Sequence, residues 1–302
     1  MVPTRSIASP GLTAQAGVPR RNSLGWTRQR WQALALLASL IVFLGASFIF
    51  PLAELFRLSL SSPEGTFYAY QEIAGSEVYR RVFINTLILA FNVAVISVVL
   101  SYPTAYMLTR LRGFLHAAAI WCLLFPLWIS VLVRTFAWIL LLERNGPVNQ
   151  ALVGVGLTDQ PVAMLFNSTG VYIGMVHVLL PYALLPIYAS MRNVDSRLLL
   201  ASDGLGASPL QTFFRVYLPL TLPGVASGFL LVFLLALGFY ITPAVLGGMK
   251  NLTIAMLIDL FVTERLVWSL AAAAAFWLLL IVLLLVAVAS RFLNLADTAT
   301  AR

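Results

Sequence analysis

The sequence predicts an all-α integral membrane protein with six transmembrane helices and both termini on the cytoplasmic side. Three observations predict it. First, 61% of the 302 residues are hydrophobic and only 10% are charged, against about 25% charged in a soluble domain. With a mean hydropathy of +0.93, the chain cannot cover a water-facing surface, so the bilayer is its solvent. Second, apolar runs of spanning length recur six times. Third, Lys and Arg concentrate in alternate loops. The net charge of +8 follows that bias and does not point to nucleic acid.

Residues 1–30 carry Arg, Pro, Gly, Ser and Thr, with no acid before Glu54. They read as a basic, disordered cytoplasmic tail. A transit peptide has a similar composition, but the plain tail is favoured. The apolar run after Trp31 is longer than a signal-peptide core. A transmembrane domain over 31–292 then holds the six runs. They are Ala33 to Phe56, Val82 to Leu108 with Pro103, Ala117 to Leu142 with Pro126, Gly170 to Ala189, Leu218 to Leu246, and Leu266 to Ala289. Pro181 and Pro186 predict a kink in the fourth. Residues 293–302 form a second tail. Arg110, Arg112, Arg192, Arg197, Arg215 and Arg291 fall on the side of the N-terminal arginines, which makes that side cytoplasmic.

The longest internal cytoplasmic loop is 192–217. Asp195 can cap a helix beginning at Ser196, and Gly204 and Gly206 can end it. Ser208 then caps a second helix, with Pro209 in its first position and Gln211 completing a capping box. Pro219 closes the unit where the fifth span begins. Leu198, Leu199, Leu200, Leu205, Phe213 and Phe214 are too many apolar groups to leave in water. Two readings fit: the loop packs on headgroups and helix ends, or it docks another protein.

Gly206, nine residues, then Val216-Tyr217-Leu218-Pro219 resembles the EAA loop of ABC importer permeases. That pattern is Glu-Ala-Ala, three residues, Gly, nine residues, Ile-x-Leu-Pro. Ala201 and Ser202 fall on its two alanines, and Leu200 stands where the family has glutamate, which puts the usual polar contact in doubt. Two further stretches, Pro126 to Gln150 and Leu237 to Gly248, resemble spermidine/putrescine-type permeases. The resemblance covers roughly residues 30 to 292. It implies a type I importer arrangement, a homologous second permease subunit, two ATPase subunits and a periplasmic solute-binding protein, in a bacterial inner membrane. It also implies that Leu198, Leu200, Ala201, Ser202, Leu205, Gly206, Ser208, Phe213, Phe214 and Pro219 couple the chain to the ATPase.

The chain has no GxxxxGK[ST], so it cradles no nucleotide phosphates itself. ATP and Mg are expected on the partner ATPase, and no cofactor on this chain. No Ser-His-acid or Cys-His set is legible, so the chain is read as non-catalytic. The single cysteine, Cys122, lies in an apolar run and is expected to be buried. With it and only His116 and His177, no zinc site is expected.

Arg134 is the strongly charged residue inside a span, about eight residues or ~12 Å from its outer end. Such a residue is a functional candidate, or a structural cation held by carbonyls, by an acid, or by snorkelling outward. Asp259, in the run Ile254 to Val262, is its candidate partner or a contact for a cationic solute. Trp128, Trp138 and Tyr240 complete the candidate pathway. They could hold ammonium groups, and they would equally form an interfacial aromatic belt.

The expected activity is ATP-driven import of a polyamine (putrescine or spermidine) or related organic cation. An opine, aminoethylphosphonate or ferric ion is the alternative cargo that the resemblance allows. A secondary transporter or channel would need mid-membrane coupling groups and often an internal repeat, and neither is legible. A membrane enzyme would need a convergent catalytic set.

Overall fold

The computed structural model describes residues 23–248 and 251–300, with side chains over 31–248 and 251–291. Among the described residues every regular element is helical. The chain divides into two units, residues 1–54 and 55–302. The first holds most of α1 (Ser23–Ser59), apolar and long enough to cross a bilayer from Trp31 onward. Helix α1 starts inside the stretch expected as a tail, and the rest of that tail lies outside the described residues.

After the short α2 (Tyr68–Gly75), the second unit is built on three helices: α3 (Glu77–Arg110), α7 (Ser168–Arg192) and α10 (Leu218–Leu237). Asn92 donates to the Tyr172 hydroxyl (3.0 Å) and Ser101 to the Leu180 carbonyl (3.2 Å). Both residue numbers rise together, so α3 and α7 run parallel. Helix α10 runs antiparallel to both. Its start lies by Tyr102, whose hydroxyl hydrogen-bonds Thr221 at 3.0 Å. Its end packs Val232, Phe233, Ala236 and Leu237 against Val93, Val171 and Met175.

Two glycines set the spacing of α7 and α10. A Cβ on Gly228 would lie 2.8 Å from the Ala183 carbonyl oxygen, and one on Gly224 would lie 2.8 Å from that of Pro186. The pair forms a Gly-x-x-x-Gly step. In lipid, such small residues let backbones approach, where packing rather than hydrophobicity drives association.

Helix α7 runs as one helix with Pro181 and Pro186 inside it. The third span differs. It is split into α4 (Gly113–Leu124), a tight turn over Phe125–Trp128, and α5 (Val131–Leu142). The two halves are bent by 102°. Pro126 has no N–H to continue the ladder, and Ile129 closes the tighter turn onto the Pro126 carbonyl at 3.1 Å. Cys122, expected to be buried, is exposed on α4, a helix that buries none of its residues. The fifth span ends at Leu237 rather than Leu246. Gly238 caps it, and a wide helical turn over Pro243–Gly247 follows. Helix α12 (Trp268–Thr300) continues past the boundary expected at 292. By length and composition, five described helices can cross a membrane, or six if the bent pair counts as one span.

Small residues recur where α12 meets α11 (Ile254–Thr263). Ala271, Ala273 and Ala274 pack against Leu257 and Phe261. Thr86 of α3 accepts from the Ile254 amide at 3.0 Å, satisfying a free donor at the start of α11.

After α5 comes the short helix α6 (Pro147–Gly154). Its Asn149 is 1% exposed. The amide nitrogen donates to the carbonyls of Glu143 (3.1 Å) and Val162 (3.0 Å), and the amide oxygen accepts from the Val162 N–H (2.8 Å). One side chain thus pins both flanks of the segment 143–162. Asn149→Ala removes three bonds and leaves buried partners unpaired. It should cost about 3 kcal/mol, read as a lower thermal midpoint and faster proteolysis between 155 and 162.

Candidate functional site

Segment 192–217 is ordered by local chemistry. The Asp195 carboxylate accepts from the Arg197 amide at 2.9 Å and caps α8 (Ser196–Gly204). Gly206, with φ +82°, ends it. The Gly206 amide bonds the Asp203 carbonyl (3.0 Å) and the Ala207 amide bonds the Ser202 carbonyl (3.2 Å). This paired closure needs the left-handed backbone that glycine supplies.

Ser208 and Gln211 then form the expected capping box. The Gln211 amide donates to Ser208 Oγ (3.4 Å) and the Ser208 amide donates to Gln211 Oε1 (3.0 Å). Helix α9 (Pro209–Thr212) begins there. Thr212 ties the two helices together, through Ser202 Oγ at 2.9 Å and by donating to Asp203 Oδ1 at 3.3 Å.

Pro219 does not break the chain. Helix α9 runs through one wide turn, Phe213–Tyr217, straight into α10. The Leu218 amide reaches back five residues to the Phe213 carbonyl. The wider turn takes up the irregularity beside a proline that offers no N–H of its own. The elbow is therefore a short helix, a turn, and the start of a long helix.

The apolar side chains divide in two. Leu198, Leu200, Leu205, Leu210 and Phe214 are exposed, Leu205 at 89%. Ala201 is also exposed and Ser202 is half-buried. Phe213, expected among the docking residues, turns inward instead. Its ring lies 6.2, 6.1 and 6.0 Å from those of Tyr102, Tyr106 and Tyr217. Leu199 likewise packs against the end of the three-helix core. Leu210 was missed from sequence, although its i, i+4 spacing to Phe214 on one helical face was legible. Arg110 and Arg192 end α3 and α7 at this same end of the bundle, beside Arg197 and Arg215.

The candidate pathway residues fall into three places. Trp128 lies on the turn between the halves of the third span and is 82% exposed. Arg134 and Trp138 sit one turn apart on the inward face of α5. Arg134 is 7% exposed, and Trp138 Nε1 donates to Nδ1 of His177 on α7 at 3.2 Å. The Tyr240 hydroxyl donates to Asp259 Oδ2 at 2.9 Å, and this bond pushes the Tyr240 phenol above its usual pKa. The phenol thus stays a donor throughout the neutral range. Asp259 makes no ion pair with Arg134 among the described residues: it faces Tyr240, while Arg134 faces the α5–α7 contact. His177 was missed because a lone histidine in an apolar run carries no positional signal.

Residues 86–298 match the family of binding-protein-dependent transport system inner membrane components. The chain belongs to that family. This permease component is accordingly a multi-pass protein of the inner membrane. It is 36% identical over 181 residues to the spermidine/putrescine transport system permease protein PotB of Escherichia coli (strain K12), a match covering 60% of this chain and 66% of that one. It is 34% identical over 181 residues to PotB of Haemophilus influenzae, covering 60% and 63%. The permease component thus spans just under two thirds of the length of these relatives. Its fold is similar to that of a crystallised bacterial ABC transporter involved in the import of the acidic polysaccharide alginate. The TM-score is 0.70 at 18% identity, over 90% of this chain and 98% of that one.

Proposed function

We propose that the chain is the membrane-spanning subunit of an importer for polyamines or related organic cations. A periplasmic binding protein delivers the solute, and this subunit works beside a second homologous permease. Two ATPase subunits, which hold the ATP and Mg, grip segment 192–217 from the cytoplasm. The chain itself is non-catalytic. The observation that carries the coupling is the exposed apolar cluster Leu198, Leu200, Leu205, Leu210 and Phe214 on a glycine-turned elbow packed onto the core through Leu199 and Phe213. The arginines gathered at that end of the bundle support a cytoplasmic location, with both termini on the same side.

The cargo class is supported by the likeness to PotB and by the half-buried Asp259 carboxylate beside the Tyr240 ring. A carboxylate and an aromatic face together suit an ammonium group. The test is uptake of labelled putrescine and spermidine into proteoliposomes holding the whole importer, with ATP on the side of the elbow. Asp259→Asn should raise the KM for putrescine about tenfold, equivalent to ~1.4 kcal/mol, and leave ATPase binding intact. Uptake of neither polyamine, or an unchanged KM in the variant, overturns the cargo reading.

A further inference from the structure

We propose that Arg134, with His177 beside it, forms an interior site for a small monovalent anion, either a halide ion or the carboxylate group of a solute. The inference is independent of the polyamine reading.

It begins with an imbalance of donors over acceptors. Arg134 lies on α5 within electrostatic reach of Tyr182 and His177 of α7, and its Nε and Nη1 are buried without an acceptor among the described residues. One turn along, Trp138 Nε1 donates to His177 Nδ1 at 3.2 Å. An indole nitrogen can only donate. His177 Nδ1 must therefore carry the lone pair, which leaves Nε2 bearing the proton. Among the described residues that Nε2–H has no acceptor either.

Of the remaining polar neighbours, Tyr182 makes no hydrogen bond to the Arg134 Nε or Nη1. Thr135 Oγ1 donates to the Val131 carbonyl (2.8 Å) and shares a 3.3 Å bond with Thr242 Oγ1. Thr242 is brought there because Gly174 of α7 leaves room for the turn that follows it. A Cβ on that glycine would lie 2.6 Å from both Thr242 Cγ2 and Leu246 Cδ1. Leu246 and Val171 pack around it in the apolar core.

No acid among the described residues pairs with Arg134. Glu77 pairs with Arg81 on the surface, and Asp259 accepts from Tyr240. A buried guanidinium without a counter-charge is strongly unfavourable, and arginine does not escape by losing its proton. A small anion satisfies the guanidinium and the His177 Nε2–H together.

The test uses the complete importer in lipid nanodiscs, in sodium methanesulfonate at fixed ionic strength, titrated with chloride or with acetate. In the wild type either anion should raise the thermal midpoint saturably. The rise should be about 5 °C at a concentration ~100-fold above the dissociation constant. Arg134→Gln should abolish the rise, and Arg134→Lys should weaken binding by at least tenfold. A response to chloride alone identifies a halide site, and a response to acetate alone a carboxylate site. Iodide quenching provides a readout that needs no change at Arg134. Saturable quenching in the wild type, lost in Trp138→Phe, supports the site. A wild-type midpoint independent of anion identity, an unchanged response in Arg134→Gln, or only linear quenching by iodide overturns it.

Discussion

Leu205→Glu is expected to abolish ATP-driven uptake and to reduce co-purification of the ATPase by at least a hundredfold, with the permease still inserted and folded. Leu205 is 89% exposed and follows the last residue of α8, so nothing in the permease is repacked by the change. Its thermal midpoint should stay within a degree of wild type. A leucine side chain seated in a partner's cleft contributes about 2 kcal/mol of apolar burial. A carboxylate driven into that cleft adds the several-kcal/mol cost of removing a charge from water. Together these exceed the ~2.8 kcal/mol that a hundredfold loss requires. The paired control is Phe213→Ala. Phe213 is packed between Tyr102, Tyr106 and Tyr217. Its loss should lower the midpoint by an amount consistent with about 3 kcal/mol while the exposed docking face stays in place. Pull-down and differential scanning of both variants separate the two roles. Normal uptake by Leu205→Glu would remove the elbow from the coupling mechanism.

Gly224→Val is expected to be strongly destabilising. The added Cβ would lie 2.3 Å from Ser190 Cβ and 2.8 Å from the Pro186 carbonyl oxygen. Neither contact yields to a rotamer change, because Ser190 Cβ and the Pro186 carbonyl are both fixed by the backbone of α7. The helices must separate along their closest stretch, loosening Ile187 and Ala183 with them. Overpacking of this kind costs about 3 kcal/mol before the lost contacts are counted. The detergent-solubilised variant should aggregate or unfold well below wild type. Gly224→Ala should fall between the two. A Gly224→Val protein with a normal midpoint would mean that α7 and α10 are held apart by something other than these glycines.

The capping pattern of the elbow was legible because it is local. Asp195, Gly206, Ser208 and Gln211 each act on an amide within a few residues, and the sequence carries that spacing outright. The path of the third span was not. Hydropathy reports that Ala117 to Leu142 is apolar throughout, and it says nothing about a 102° bend at residues 129–130. Pro126 marked the place without setting the angle. Phe213 and Phe214 were indistinguishable as adjacent aromatic residues. Only the tyrosines of α3, more than a hundred residues earlier in the chain, decide which one turns inward. The expected link between Arg134 and Asp259 rested on charge alone, and charge carries no distance. The Gly224-x-x-x-Gly228 step was in plain view and went unread because it sits inside an apolar run, where the glycines looked like filler.

Helix α9, the wide turn and α10 run as one length of 29 residues from Pro209 to Leu237, clamped near its middle where Gly224 and Gly228 touch α7. Such a rod behaves as a seesaw. From the clamp to Leu210 is ~24 Å and from the clamp to Leu237 is ~17 Å at helical rise. A sideways pull of 3 Å at the short-helix end would therefore swing the far end by roughly 2 Å the opposite way. On the importer reading proposed above, opening on one side of the bilayer and closing on the other would be a single rotation about that fulcrum.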